Sequence, residues 1–106
     1  MSNIVVVLHT SDGTVTVEPR KLPVIGPAGT PVTVTWVPGN EETRITSIAG
    51  FPSEVDVMGP DSENQWTASY QLPGNAAVWS YTVGSEHVSG SRATIKDPEI
   101  DNTPTG

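Results

Sequence analysis

Residues 31–37 read Pro-Val-Thr-Val-Thr-Trp-Val, and this strict alternation constrains the chain more than any other feature. Successive side chains of a strand point to opposite faces, so Val32, Val34 and Trp36 share one face and Thr33 and Thr35 the other. The same period of two recurs elsewhere. Val15 and Val17 pair within 14–18, and Val55 and Val57 within 54–58. Trp66, Ala68 and Tyr70 pair within 65–70, and Trp79, Tyr81 and Val83 within 77–83. Residues 92–96 form the last such run. A helix cannot be built on this period, because its apolar face repeats every three to four residues. The expected core is therefore Val15, Val17, Val32, Val34, Trp36, Trp79, Tyr81 and Val83.

Breaks punctuate the runs at regular intervals. Ser11-Asp12-Gly13 is a hairpin signal, since Asp and Gly both tolerate positive φ. Gly26-Pro-Ala-Gly29, Pro38-Gly-Asn40, Gly59 to Asn64 and Pro73-Gly-Asn75 are further turns or loops. The first strand, Asn3 to Leu8, is almost wholly apolar, which predicts burial on both faces. Lys21 to Ile25 is short and carries Pro23, which places it at an edge or bend. In the strand from Thr43 to Ile48, Ile45 and Ile48 cannot both face inward without a bulge. Eight or nine short strands without a helical period predict an all-β chain, a single antiparallel Greek-key β-sandwich over residues 1–100. Residues 101–106 are expected as a short acidic and polar tail that frays.

Composition narrows the function. The 106 residues suffice for one domain with one core. The absence of cysteine excludes disulfides, thiolate metal sites and a cysteine nucleophile. Twelve acidic residues against five basic ones, a net charge of -7, disfavour nucleic acid, whose phosphates need Lys and Arg. The same charge favours solubility, and a monomer is expected. Residues 1–9 have no basic segment before a short apolar run, and no stretch approaches a membrane span, so a soluble, cytoplasmic chain is expected with no membrane partner.

Two segments carry a family resemblance. Val15-Thr-Val-Glu-Pro19, Leu22 to Ile25 and Gly29-Thr-Pro-Val-Thr-Val-Thr-Trp36 form one, and Trp79 to Ile95 the other. Together they resemble the opening and closing strands of cupredoxins, with an immunoglobulin-like domain as the alternative. The resemblance implies a cupredoxin-like fold. It also implies a type 1 copper site of two His, a Cys and a weak axial ligand. In that family one ligand segment follows the Trp-bearing strand and the other lies between the last two strands. Here the Cys position reads Val83 and the Met position Ser91. The first ligand segment reads Asn40-Glu-Glu-Thr-Arg-Ile45, with Arg44 near the place of the missing His. Only His87 remains nearby, so no metal, no cofactor and no blue copper chemistry are expected.

Other candidates are sparse. His87 is expected as an exposed loop residue. His9 ends the first strand, and nothing in the sequence brings the two together. Ser85-Glu86-His87 holds the residue types of a catalytic triad, but neighbours in an extended chain point apart, so no catalytic residues are assigned. Asp97, Glu99 and Asp101 alternate and would project to one side, a weak start for a divalent-cation site; Glu54, Asp56, Asp61 and Glu63 raise the same idea. Phe51 and Trp66, with Pro52, lie in or beside loops and are the candidate anchors for an unknown protein partner. The expected function is that of a non-catalytic binding module. The alternatives are a structural or decorating domain of a surface or phage assembly, and a weak cation-binding protein using the C-terminal carboxylates.

Overall fold

A computed structural model describes residues 1–105. Among the described residues, eleven strands follow one another and there is no helix. β1 (Ser2–His9) lies between β2 (Val15–Glu18) and β4 (Pro31–Pro38), and β7 (Trp66–Gln71) and β6 (Asp56–Met58) complete a five-stranded sheet in the order β2-β1-β4-β7-β6. A second sheet has the order β10-β9-β5, from β5 (Thr43–Ala49), β9 (Thr82–His87) and β10 (Arg92–Ile95). A third has the order β3-β11-β8, from β3 (Lys21–Pro27), β8 (Ala77–Ser80) and β11 (Glu99–Thr105). Among the described residues no helix is long and apolar enough to cross a membrane.

The alternation sets which face is buried. Val32, Val34 and Trp36 of β4, Ala68 and Tyr70 of β7, and Val17 of β2 all face one shared core. Tyr81 and Val83 join them, while Val15 and Trp79, expected in the same core, are only partly buried against it. β1 departs from the expectation of two buried faces. Val5, Val7 and His9 are buried, but Ile4 is 63% and Val6 37% exposed. No layer covers the outer side of the five-stranded sheet at these positions, so an apolar run alone misreads the strand.

Pairing is mixed instead of antiparallel throughout. β1 runs parallel to β4, with Val5 opposite Trp36, and β3 runs parallel to β11, with Leu22 opposite Ile100. The second pairing also removes the expected tail. Residues 101–105 belong to β11, where Ile100 and Asn102 are fully buried between β3 and β8. Asn102 is acceptable there because Tyr70 Oη donates to its Oδ1 at 2.6 Å and its Nδ2 donates to Ala77 O at 3.2 Å.

The run 77–83 is one strand in sequence and two in space. The chain leaves β8 at Tyr81, whose N–H donates to Pro98 O at 2.9 Å, and enters β9 in a different sheet. The segment from β10 to β11 makes the same crossing beside it. The bulge anticipated in β5 is present: the register shifts between Ile45 and Ser47, and Ile45 and Ile48 are both buried. Gly84 leaves room opposite the bulge: a Cβ there would stand 2.4 Å from Ser47 Oγ and 2.8 Å from Thr46 Oγ1, and both hydroxyls would have to turn away.

The first hairpin turns at Asp12-Gly13, with Gly13 at φ 91°. The Asp12 carboxylate accepts from Thr10 Oγ1 and, at 3.0 Å, from Thr14 N. These bonds favour the ionised form and hold its pKa at about 2, below the ordinary 3.8. A carboxyl lowered on folding stabilises the fold fully above its unfolded pKa, and that contribution disappears as pH falls through the folded one. The stability difference between the wild type and Asp12→Ala should therefore be constant above about pH 5 and shrink as pH falls from 3.8 towards about 2. Urea denaturation at stepped pH measures it.

Candidate functional site

The two histidines meet. His9 closes β1 and His87 closes β9, and their ring centroids lie 5.8 Å apart at an interplanar angle of 53°. His9 is fully buried and His87 is 3% exposed, so the expectation of an exposed loop imidazole at 87 is corrected. The physical reason is strand length: β9 runs to residue 87 and pairs it with Thr43 at the start of β5, instead of ending before it.

Every ring nitrogen has a partner. His9 Nδ1 lies 2.8 Å from Ser85 Oγ and Nε2 3.0 Å from Ser91 Oγ. A hydroxyl can donate or accept, so both tautomers of His9 are satisfied. At His87 the tautomer is fixed. The Ser89 N–H donates to Nδ1 at 3.1 Å, with Ser89 Oγ 2.7 Å away. An amide N–H can only donate, so Nδ1 must accept and the ring proton sits on Nε2. Glu42 Oε2 lies 3.1 Å from that nitrogen, an ion-pair distance. Thr43 ties the strands beneath: its Oγ1 accepts from His9 N at 2.9 Å and lies 2.7 Å from Asn40 Oδ1. Val88 N donates to Glu42 O at 2.9 Å.

This network contains a serine bonded to an imidazole, the geometric start of acyl-transfer chemistry. It is not the set Ser85-Glu86-His87 read along the chain, because Ser85 bonds His9, and Glu86 pairs with Arg92 at 3.2 Å. Surface grooves lie beside this network and beyond it. One is lined by Pro38, Asn40, Glu41, Thr43, Arg44 and the 62–64 loop. Another is lined by Glu54, Gln71, Leu72, Pro73 and Trp79, and a third by Met58 to Asp61, Gln65 and Thr67. None of these three is lined by His9, Ser85, His87 or Ser91.

The remaining candidates disperse. Asp97 pairs with Arg20, whose guanidinium holds its carboxyl below the ordinary range, and Glu99 lies 3.8 Å from Lys21. Asp97 and Glu99 thus face cations of the β2–β3 turn. Asp61 caps its own loop, accepting from Glu63 N at 2.8 Å and Gln65 N at 2.9 Å. Among the described residues no three His, Cys, Asp or Glu side chains gather as a metal site.

Phe51 and Trp66 are both half-buried and held by different partners. Phe51 lies beyond the last residue of β5 and stacks on Tyr81, centroids 5.0 Å apart, with Trp36 at 5.9 Å and Trp79 at 6.3 Å. Trp66 donates its indole N–H to Ile45 O at 2.9 Å and packs over Gly59, where a Cβ would meet its ring at 2.5 Å. Trp36 likewise donates, to Tyr81 Oη at 3.1 Å. Trp79 is different: among the described residues its indole N–H has no partner, and the ring borders a groove.

Compared with models of known families, with characterised proteins and with solved structures, the chain finds no match.

The alternation of the strands gave no hint that His9 and His87 share one site; the one available signal was a histidine ending the apolar run of β1. The network also predicts its own weak point. Ser85→Ala leaves His9 Nδ1 buried and unpaired, which should cost about 1–3 kcal/mol by urea denaturation. Ser89→Ala should cost less, because the backbone N–H that fixes His87 remains.

Proposed function

We propose that the chain is a non-catalytic binding module on a cupredoxin-like β-sandwich whose metal end has been closed by hydrogen bonds. The observation that carries this reading is the burial of both imidazoles with three ring nitrogens hydrogen-bonded to Ser85, Ser91 and Ser89 and the fourth 3.1 Å from the Glu42 carboxylate. Ligation needs free lone pairs aimed at a common point, and here three of the four ring nitrogens are already hydrogen-bonded.

The placement of the network supports the family resemblance. The segment after the Trp-bearing strand β4 and the segment between β9 and β10 meet, through Glu42 with His87 and through Glu42 O with Val88 N. These are the two segments from which the resembled family draws its ligands. Val83, at the Cys position in sequence, is buried in mid-strand opposite Ile48 and Ile95, and apolar packing replaces a thiolate there. Position 91, a Met in that family, is a serine that bonds His9.

The same argument supports the absence of catalysis. A Ser–His pair acts only where a substrate carbonyl can reach the hydroxyl beside oxyanion donors. The buried imidazole of His9 serves strand assembly between β1, β9 and the β9–β10 turn. The binding surfaces are then the surface grooves, which the buried imidazoles do not line.

Two measurements on the purified protein test this reading. Cu(II) titration should give neither an intense blue absorption nor a stoichiometric complex that raises the melting temperature. A chromogenic acetyl ester should turn over no faster than with a His9→Gln variant. Stoichiometric copper uptake or His9-dependent hydrolysis would contradict the proposal.

A further inference from the structure

The groove beside Trp79 has the chemistry of a small-ligand site. It lies between the edge strand β8 and the end of β7, lined by Trp79, Leu72, Pro73, Glu54 and Gln71. Its volume of about 410 Å³ falls at the lower end of small-molecule sites, roughly 300–1,000 Å³. Such sites combine an apolar wall with a few polar groups that fix orientation.

The apolar wall is rigid. Trp79 meets Tyr70 edge to face at 4.8 Å and 68°, and Phe51 at 6.3 Å and 82°. Both contacts are the T-shaped arrangement that the ring quadrupoles favour. Tyr70 is itself fixed by its bond to Asn102, and burial pushes its hydroxyl pKa up to about 12, so it stays a neutral donor. A ligand at Trp79 therefore meets an indole ordered in advance, which lowers the entropic cost of binding.

The polar groups are unspent. Of the three tryptophans, Trp36 and Trp66 use their N–H inside the protein, and among the described residues Trp79 does not. Glu54 and Gln71 are exposed, and their side chains make no hydrogen bond or ion pair among the described residues. The groove is thus lined by an amide with both donor and acceptor, a carboxylate acceptor, and a tryptophan whose N–H is not used inside the protein among the described residues. No Lys or Arg lines it.

We infer that this groove binds a neutral saccharide, with a pyranose ring against Trp79 and its hydroxyls shared among Glu54, Gln71 and the indole N–H. Sugar rings present C–H groups on one side and hydroxyls at the rim. The negative face of an indole attracts the first, and carboxylate and amide groups bond the second. The lining carboxylate and the net charge of -7 reject anionic ligands, and the lack of a deep apolar cavity disfavours a lipid. This inference rests on the binding-module reading and names its ligand class.

The test is an NMR titration of the ¹⁵N-labelled protein with cellohexaose, xylohexaose, mannohexaose and chitohexaose, and with a heparin hexasaccharide as the anionic control. At least one neutral oligosaccharide should move the Trp79 indole N–H signal, with those of Trp36 and Trp66 nearly unmoved and the anionic control silent. Trp79→Phe should weaken that binding at least tenfold. Glu54→Gln and Gln71→Ala, at exposed positions where folding is not at stake, should each weaken it severalfold. Silence from all four neutral oligosaccharides at millimolar concentration overturns the inference, and so does binding that survives Glu54→Gln, Gln71→Ala and Trp79→Phe unchanged. Silence with the copper and ester assays also negative refutes the saccharide alone. Copper uptake or ester turnover refutes the module reading itself.

Discussion

A buried imidazole has two ring nitrogens, and a protein that buries it must satisfy both. This chain buries two such rings side by side and surrounds them with groups from near and distant stretches of sequence. Ser85 and Ser91 serve His9 across 76 and 82 residues. Glu42 and Ser89 serve His87. The start of β5, the end of β1 and the β9–β10 turn are thereby locked in one arrangement. These bonds add to the register that the one-sided apolar burial of the strands already specifies.

From that end the structure runs through an aromatic cluster to the opposite edge. Trp36 donates to Tyr81, Tyr81 stacks with Phe51, and Phe51 and Tyr70 both meet Trp79 edge-on. The cluster sits where the chain crosses between sheets, at Tyr81 and Pro98. The crossing turns Trp79 to the margin of the core, half in and half out. A closed polar end and an open aromatic edge are thus consequences of one chain path.

Local pattern made much of this legible. The strands around Val32-Trp36 and Trp66-Tyr70, the Asp12-Gly13 hairpin and the β5 bulge follow from side-chain period and turn chemistry, which act over a few residues. What was not legible depends on partners far along the chain. The outer face of Ile4 and Val6 is exposed because no layer covers it, and a strand's own sequence does not say which layers exist. Residues 101–105 look like a polar tail, yet their backbone pairs with β3, and Asn102 is buried because Tyr70 and Ala77 satisfy it. The histidine pair was hidden for the same reason: β1 and β9 are separated by most of the chain. The groove at Trp79 was hidden because Trp79 reads as core by alternation, and only the strand break at Tyr81 moves it to the edge.

The central claim is that the imidazoles are held as hydrogen-bonded structural groups and not as open ligands. Long-range ¹H–¹⁵N correlation of the histidine rings tests it most directly. The account predicts a single tautomer for His87, with the proton on Nε2 facing Glu42 and an unprotonated Nδ1 accepting from Ser89. A proton on Nδ1, or two nitrogens averaged as in a free imidazole, would contradict it.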